Sequence, residues 1–306
     1  MTKKAFLVGI NDYTPVGAGG KDLNGCVNDV SDMANTLIIC GFPANKILIC
    51  TNKRATKQGI LEGLKWLVHG AKKNDSLVFY YSGHGSQVPN IKVTEEDIEV
   101  DKLDEVLCPH DFNVAPEGWL SDDILRNVFS KIPRGVNLEV ITDCCHSGTI
   151  TRSLDLDISA ADLDVSAVEA EAILEQKMTK VRFMPPPVDQ GFYGIFMPDL
   201  PKGKILKPNI NKKDIVISTG INHSLWAACQ DNQESQEAII ENRVRGVFTY
   251  HFCQVLRKTE GDITRQKLQS LVDAAIKRGG FAQTLQLEAS SEKVKMKPFW
   301  SNKHSL

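Results

Sequence analysis

The sequence has no strong excess of charge, no long apolar run and no regular spacing of cysteines. Its 306 residues include 36 basic and 38 acidic side chains, so the formal net charge is only −2. Proteins that bind nucleic acid or anionic membranes mainly through charge carry a clear basic excess, so this balance argues against both partners. No apolar stretch approaches membrane-spanning length, and residues 1–13 lack the long apolar region of a signal peptide. We therefore expect a cytoplasmic protein.

The eight cysteines form no CxxC pair and no short-period framework. In a chain of this length without a signal, reduced thiols that pack as small apolar residues are the more common state. Two of them, Cys144 and Cys145, are adjacent within the motif DCCHSG. Adjacent residues of a strand point to opposite faces, so these two and His146 make an unfavourable zinc site. The remaining interpretations are a nucleophile with a bystander, or two packing residues.

Apolar runs rich in β-branched and aromatic residues alternate with segments of helical periodicity. This alternation predicts an α/β fold with a mostly parallel central sheet and helices on both faces. The segment after the fifth strand, 221–231, is interpreted as a loop that reaches the edge of the sheet. The predicted strands are 4–10, 46–51, 75–85, 136–145 and 212–220, and the predicted helices are 24–42, 55–71, 120–132, 246–258 and 264–280.

Residues 153–189 interrupt the alternation of strands and helices. The segment is acidic at first, then basic, then rich in proline, and it separates the fourth predicted strand from the fifth. A long insertion of this kind is usually a functional loop or a disordered linker.

Chemically active side chains follow two of the predicted strands. His84 ends the third strand, and Cys144 and Cys145 end the fourth. Ligands of parallel sheets bind outside the carboxyl ends of the strands, and a nucleophilic cysteine needs a neighbouring base. If the two strands are neighbours, the backbone N–H groups of Gly85 and Cys145 face one point, as the stabilisation of an oxyanion requires. The pattern predicts an acyl-transfer site, most simply that of a peptidase.

Three motifs, GCVNDV, YYSGHGSQV and DCCHSGT, resemble in this order those of metacaspases and the related prokaryotic orthocaspases. The resemblance covers about residues 3–150 and resumes more weakly over 212–285. It implies a caspase-haemoglobinase-like fold in a single peptidase domain, 1–306. Within that domain, 1–152 would be the half that carries the histidine and cysteine, 153–210 a linker, and 211–306 the smaller half.

The resemblance also implies roles for individual residues. Cys145, directly before His-Ser-Gly, would be the nucleophile and His84 the general base. Asp29, Ser82 and Asp143 fall on motif positions that line the pocket for the substrate residue before the cut. Two carboxylates in a closed pocket favour a cation that also donates hydrogen bonds, and they disfavour an acid. We therefore expect protein or peptide substrates that are cut after Arg or Lys.

Several metacaspases need calcium, and two segments here resemble those that supply its ligands. The segments DEVLCPHDF and WLSDD would contribute Asp104, Asp122 and Asp123, whose hard oxygen atoms suit calcium. The last ligand of the family has no match, and Arg152 lies near its place, where it would repel a cation. We therefore expect no required cofactor and assign calcium, if it binds, to these three acids.

Members of this family often cut themselves between the two halves of the fold. Lys177, Lys180 and Arg182 match the expected specificity and lie in the linker, where we expect an exposed loop. The resemblance further implies a monomer. The alternative is a catalytically silent caspase-fold protein that acts as a binding or scaffolding module. Such a protein usually loses the cysteine or the histidine, and both are present here. No G-x-S-x-G signature supports a different hydrolase.

Overall fold

The computed structural model describes residues 1–13, 22–89, 103–113, 118–145, 180–184, 222–229, 233, 235–297 and 299–300. The strands in these ranges are β1 (Lys3–Gly9), β2 (Ile47–Thr51), β3 (Ser76–Ser82), β4 (Gly85–Pro89), β5 (Leu103–Leu107), β6 (Leu120–Ser121), β7 (Asn137–Asp143), β8 (Lys180–Val181), β9 (Asn222–Ala227), β10 (Gln236–Ile240), β11 (Arg243–Gly246) and β12 (Gln286–Ala289). The α-helices are α1 (Cys26–Ile39), α2 (Lys57–Val68), α3 (Asp122–Phe129), α4 (Val247–Thr259), α5 (Arg265–Arg278) and α6 (Glu292–Lys295).

Six strands form the central sheet, in the order β12-β9-β7-β3-β1-β2. Every neighbouring pair is parallel except β12 with β9. The first four predicted strands appear as β1, β2, β3 and β7, so the predicted mostly parallel sheet is confirmed. Its two central strands, β3 and β7, are adjacent, and they are the strands that lead into the glycine-histidine and double-cysteine motifs.

Helices cover both faces of this sheet. Phe6 and Val8 of β1 belong to one apolar cluster, which includes buried residues of α2 and α3. Ala5 and Leu7 of the same strand belong to a second cluster, which includes residues of α1, α4 and α5. Because successive residues of a strand point to opposite faces, the two clusters are the two sides of the sheet. None of the helices in the described ranges is long and apolar enough to cross a membrane.

The strand next to β7 is β9, which follows the fifth predicted strand in the sequence. Residues 212–220 lie outside the described ranges, and β9 lies within the segment interpreted as a loop, so that interpretation is wrong. Polar residues conceal the strand in the sequence, since His223 and Ser224 are buried in it. Trp226 follows them, fully buried, and its Nε1–H donates to Glu139 Oε2 on β7 at 2.8 Å.

Glu139 also joins β7 to the second half of the chain. Arg265, the first residue of α5, donates from Nε to Glu139 Oε1 at 3.0 Å, and both side chains are almost completely buried. Burial raises the pKa of Glu139, and the charge of Arg265 opposes that rise. The pair therefore fixes α5 against the middle of the sheet, at a place where an isolated charge would be costly.

Two small antiparallel sheets flank the carboxyl ends of the central strands. One has the order β4-β5-β6, and β4 begins directly after the histidine of the YSGHG motif. The other has the order β11-β10-β8. Its strand β8 comes from within the predicted linker and pairs with β10 through Gln236 opposite Val181 and Glu237 opposite Lys180. A short piece of the linker is therefore part of the folded domain.

Candidate active site

The predicted nucleophile and base lie at the ends of adjacent strands. Ser82, the last residue of β3, is in register with Asp143, the last residue of β7. His84 and Cys145 follow these two positions by the same number of residues, and both are buried. The Sγ atom of Cys145 accepts a hydrogen bond from the backbone N–H of Ser235 and lies 3.4 Å from the carbonyl oxygen of that residue. The sequence gives no signal for Ser235.

Two tyrosines hold the backbone of His84. Its N–H donates to Tyr13 Oη at 2.7 Å, and its carbonyl accepts from Tyr81 Oη at 2.7 Å. The rings of Tyr13 and His84 are 4.9 Å apart. Burial raises the pKa of both tyrosines well above the ordinary value, so their hydroxyls stay protonated. At Gly83 a Cβ atom would lie 2.6 Å from each hydroxyl oxygen, which explains the glycine before the histidine.

The two expected oxyanion donors converge on one atom. The N–H groups of Gly85 and Cys145 each donate to the carbonyl oxygen of Arg182 at 3.1 Å. Two backbone donors that bind one carbonyl oxygen beside a thiol are the arrangement that stabilises a tetrahedral intermediate in acyl transfer.

The side chain of Arg182 enters a closed pocket of acidic residues. Its Nη2 lies 2.6 Å from Asp29 Oδ2, and its Nη1 lies 3.1 Å from Asp143 Oδ2 and 2.8 Å from Ser82 Oγ. All three residues expected in the pocket are therefore together around one guanidinium. A fourth, Glu237 on β10, lies 3.5 Å from Nη2 and is not apparent from the sequence. The side chains of Arg182 and all four partners are at most 1% exposed.

The charges of this pocket are mutually dependent. Burial raises the pKa of Asp29 to about 6, the guanidinium of Arg182 opposes that rise, and the carboxylate of Asp143 adds to it. Burial lowers the pKa of Arg182, but its carboxylate partners outweigh this and hold the pKa well above the ordinary value. Without a cation the buried carboxylates would repel one another, so the pocket strongly favours a positively charged side chain.

The backbone around Arg182 is extended and forms hydrogen bonds to the residues on both sides of it. Its N–H donates to the carbonyl of Ser235 at 3.0 Å. Two residues later, the N–H of Met184 donates to the carbonyl of Gly85 at 2.9 Å. The Oγ of Ser86 then donates to the carbonyl of Met184 at 2.7 Å. Residues 180–184 thus form backbone bonds to β10 on one side and to Gly85 on the other, and many extended peptides bind proteins through such bonds.

The prediction that the linker residues lie in an exposed loop is wrong for Arg182. Its side chain is fully buried because the acidic pocket satisfies its charge, which no feature of the linker sequence reveals. Lys180 is half-buried, and its Nζ lies 3.2 Å from the carbonyl of Asp22. Lys177 lies outside the described residues.

Comparisons with known proteins identify the family of this chain. The family model described as "Metacaspase, peptidase C14 domain" matches residues 3–156. The chain belongs to the metacaspase family. "Metacaspase-1A" of Aspergillus oryzae is 31% identical over 299 residues, with 89% of this chain and 64% of the relative covered. "Metacaspase-1" of Cryptococcus neoformans var. neoformans is 32% identical over 305 residues, with 94% and 62% covered. "Metacaspase-1" of Emericella nidulans is 30% identical, with 94% and 70% covered.

The chain spans less than two thirds of the length of the first two of these metacaspases. A solved structure, protein GSU0716 from Geobacter sulfurreducens, superposes with a TM-score of 0.63 at 23% identity. The match covers 97% of this chain and 98% of that one, and it shows the fold alone. Together with the family, it establishes the caspase-like α/β architecture.

Hydrogen bonds from neighbouring residues fix the two aspartates of the metacaspase pocket. Asp143 accepts from Ser235 Oγ at 2.6 Å through Oδ1, and from Thr249 Oγ1 at 2.6 Å through Oδ2. Asp29 Oδ1 accepts from the N–H of Gly246 at 2.8 Å, just before α4 begins. A Cβ atom at Gly246 would lie 2.2 Å from Asp143 Oδ2, so only glycine fits there. Both carboxylates are therefore also oriented by bonds that do not involve Arg182.

The three acids that the resemblance assigns to calcium lie on two different elements of the fold. Asp122 and Asp123 begin α3, and both pair with Arg126 one turn later. Burial raises the pKa of Asp122, and the charge of Arg126 opposes that rise. Asp104 lies on β5, opposite Val88. In the part of the chain that the structure describes, no group of three or more acidic, histidine or cysteine side chains could hold a metal ion.

Proposed function

We propose that this chain is a cysteine peptidase that cleaves peptide bonds after Arg or Lys, with Cys145 as the nucleophile and His84 as the general base. The observation that supports it is the position of Arg182. Its side chain fills a pocket of three carboxylates, while its carbonyl accepts both N–H groups beside Cys145. A substrate residue before the scissile bond needs these same two contacts at once.

The proposed reaction follows from these positions. His84 takes the proton of the Cys145 thiol, and the thiolate attacks the carbonyl carbon of the substrate residue in the pocket. The N–H groups of Gly85 and Cys145 stabilise the negative oxygen that forms. The imidazolium then protonates the leaving amine, and water releases the acyl-enzyme.

The specificity follows from the three carboxylates of the pocket. An arginine donates to Asp29 and Ser82 and lies beside Asp143 and Glu237. A lysine brings the same charge with one donor group, so we expect it to be cleaved more slowly. An aspartate would add a fourth negative charge to a closed space and is excluded.

The same chemistry predicts self-processing after Arg182. Its carbonyl and side chain both occupy the positions that a substrate needs, whereas Lys180 binds outside the pocket. The bond between Arg182 and Phe183 is therefore the one that we propose is cut. Until the segment leaves, it blocks the pocket, so the uncut chain would be an inactive precursor.

We propose that the activity needs no bound cofactor. Asp122 and Asp123 both pair with Arg126, which already neutralises much of their charge. Cleavage rates in millimolar calcium and in chelator are expected to be equal within a factor of about two. A rate that appears only with calcium would contradict this part of the proposal.

A fluorogenic peptide panel tests the proposed activity. The peptides differ only in the residue before the cut, which is Arg, Lys, Asp or Ala, and each is assayed with the wild type and Cys145→Ala. We expect cleavage after Arg and Lys that is lost in the variant. Cleavage after Asp would refute the pocket assignment. If the wild type, first cut between Arg182 and Phe183 by added trypsin, cleaves none of the peptides, the result would favour a catalytically silent binding or scaffolding protein.

A further inference from the structure

The segment 180–184 continues past Arg182 and is held by a second set of contacts on the other side of the reacting bond. We propose that this side is a substrate subsite for an apolar residue two positions after the cut, which in the chain itself is Met184. The inference rests on the proposed peptidase function, since it concerns the part of the substrate that leaves first.

Backbone hydrogen bonds hold the segment at this subsite. The N–H of Gly85 donates to the carbonyl of Arg182, and the carbonyl of Gly85 accepts from the N–H of Met184. Gly85 therefore binds the segment on both sides of the scissile bond. Phe183 forms a bridge with Gly85 in the parallel direction. The Oγ of Ser86, a fully buried side chain, donates to the carbonyl of Met184 at 2.7 Å. These bonds depend on no side chain of the bound segment, so any extended peptide can make them.

The side chain of Met184 gives the subsite its selectivity. Of the five residues of the segment, only Arg182 and Met184 are buried, and Met184 is 3% exposed. Being two positions apart in an extended chain, the two side chains point to the same face. Met184 belongs to the apolar cluster that includes Val88 of β4, Leu107 of β5 and the following Cys108. Burial raises the pKa of the Cys108 thiol well above its ordinary value, so the thiol stays neutral.

An apolar side chain gains from leaving water at this place, and a charged one loses its hydration. Phe183, between the two buried residues, is only half-buried, so the position directly after the cut is expected to be less selective. The segment is therefore anchored at two points, an acidic pocket before the cut and an apolar pocket after it.

The first arm of the test compares substrates on the processed wild-type enzyme. Internally quenched peptides carry Arg before the cut and Met, Leu, Ala or Asp two positions after it. A short Arg reporter without residues after the cut measures the proposed function alone. We expect kcat/KM for Met and Leu to exceed that for Asp by about tenfold or more, which corresponds to about 1.4 kcal/mol. Equal values for all four peptides would overturn the inference while leaving the proposed function intact.

The second arm needs no activity of the protein. In the Cys145→Ala background, trypsin cleavage after Arg182 is timed for the parent, Met184→Leu and Met184→Asp. We expect the aspartate to release the segment and speed this cut about tenfold, and the leucine to leave it slow. Arg265, buried in α5, should stay uncut in all three and so reports an intact fold. Equal rates for the three proteins would overturn the inference, whether or not the short reporter is cleaved.

Discussion

The substitution Asp29→Asn tests how the acidic pocket recognises its ligand. Asp29 Oδ1 accepts from the N–H of Gly246, and Oδ2 faces both Nη2 of Arg182 and the hydroxyl of Ser82. An asparagine must keep its oxygen toward Gly246, so its amide nitrogen replaces Oδ2. Two donors then face each other where a charge-assisted hydrogen bond of 2.6 Å stood.

The expected loss can be worked out from this geometry. A hydrogen bond to a charged group contributes about 1.5–3 kcal/mol, which corresponds to a factor of about 10 to 150. The substitution also places two hydrogen-bond donors face to face. We therefore expect kcat/KM for an Arg reporter to fall at least about 30-fold.

The assay uses fully cleaved enzyme at pH 7.5, normalised to titrated active sites. Asp32→Asn is the matched control, because Asp32 lies one turn later on α1 and pairs with Arg245 rather than with Arg182. We expect the control to keep the activity of the wild type. An Asp29→Asn enzyme within about threefold of the wild type, with unchanged thermal stability, would refute the reasoning.

Three further predictions concern the pocket and the fold. Gly246→Ala should abolish cleavage after Arg, because the new methyl group would lie 2.2 Å from Asp143 Oδ2. Activity assays on a variant with a normal circular dichroism spectrum check this. Retained cleavage would contradict it. Arg265→Ala should lower the free energy of unfolding by about 3–5 kcal/mol, because Glu139 would stay buried without its ion pair. Urea denaturation measures that loss, and a change below about 1 kcal/mol would show that water reaches the carboxylate. Burial raises the pKa of Asp29 to about 6, so protonation at lower pH removes charge from the pocket. The guanidinium of Arg182 lowers the pKa of Asp29, so the pKa is higher when the pocket is empty than when a guanidinium occupies it. The affinity of the processed enzyme for agmatine, a small guanidinium compound, should therefore fall as the pH drops toward about 6, and calorimetry that shows equal affinity at pH 5 and 7.5 would contradict this.

Much of the site follows from the sequence because it depends on strand ends. Parallel strands bring the residues after them to one edge, so motifs that follow two apolar runs meet when the strands are neighbours. His84 and Cys145 are predicted in this way, and the resemblance to metacaspases supplies their roles and adds Asp29 and Asp143 as residues of the pocket. The structure places both acids around one guanidinium.

The remaining features depend on contacts that no local pattern records. Glu237 lies in an ordinary strand sequence, and its carboxylate reaches the pocket only because β10 pairs with β8. Arg182 lies in a polar, proline-rich stretch that predicts exposure, yet a distant set of carboxylates buries it. Tyr13 supports His84 across 71 positions of the chain. Pairing between distant segments is decided by tertiary structure, which overrides local propensity.

The most direct test of the account is the identity of the bond that the protein cuts in itself. Purified wild type and Cys145→Ala would be incubated and analysed by intact-mass spectrometry and N-terminal sequencing. The account predicts a new N-terminus at Phe183 in the wild type and an uncut chain in the variant. A wild-type protein that cleaves Arg reporters while the bond between Arg182 and Phe183 stays intact would contradict it, because the segment would then block the pocket in which those reporters must bind.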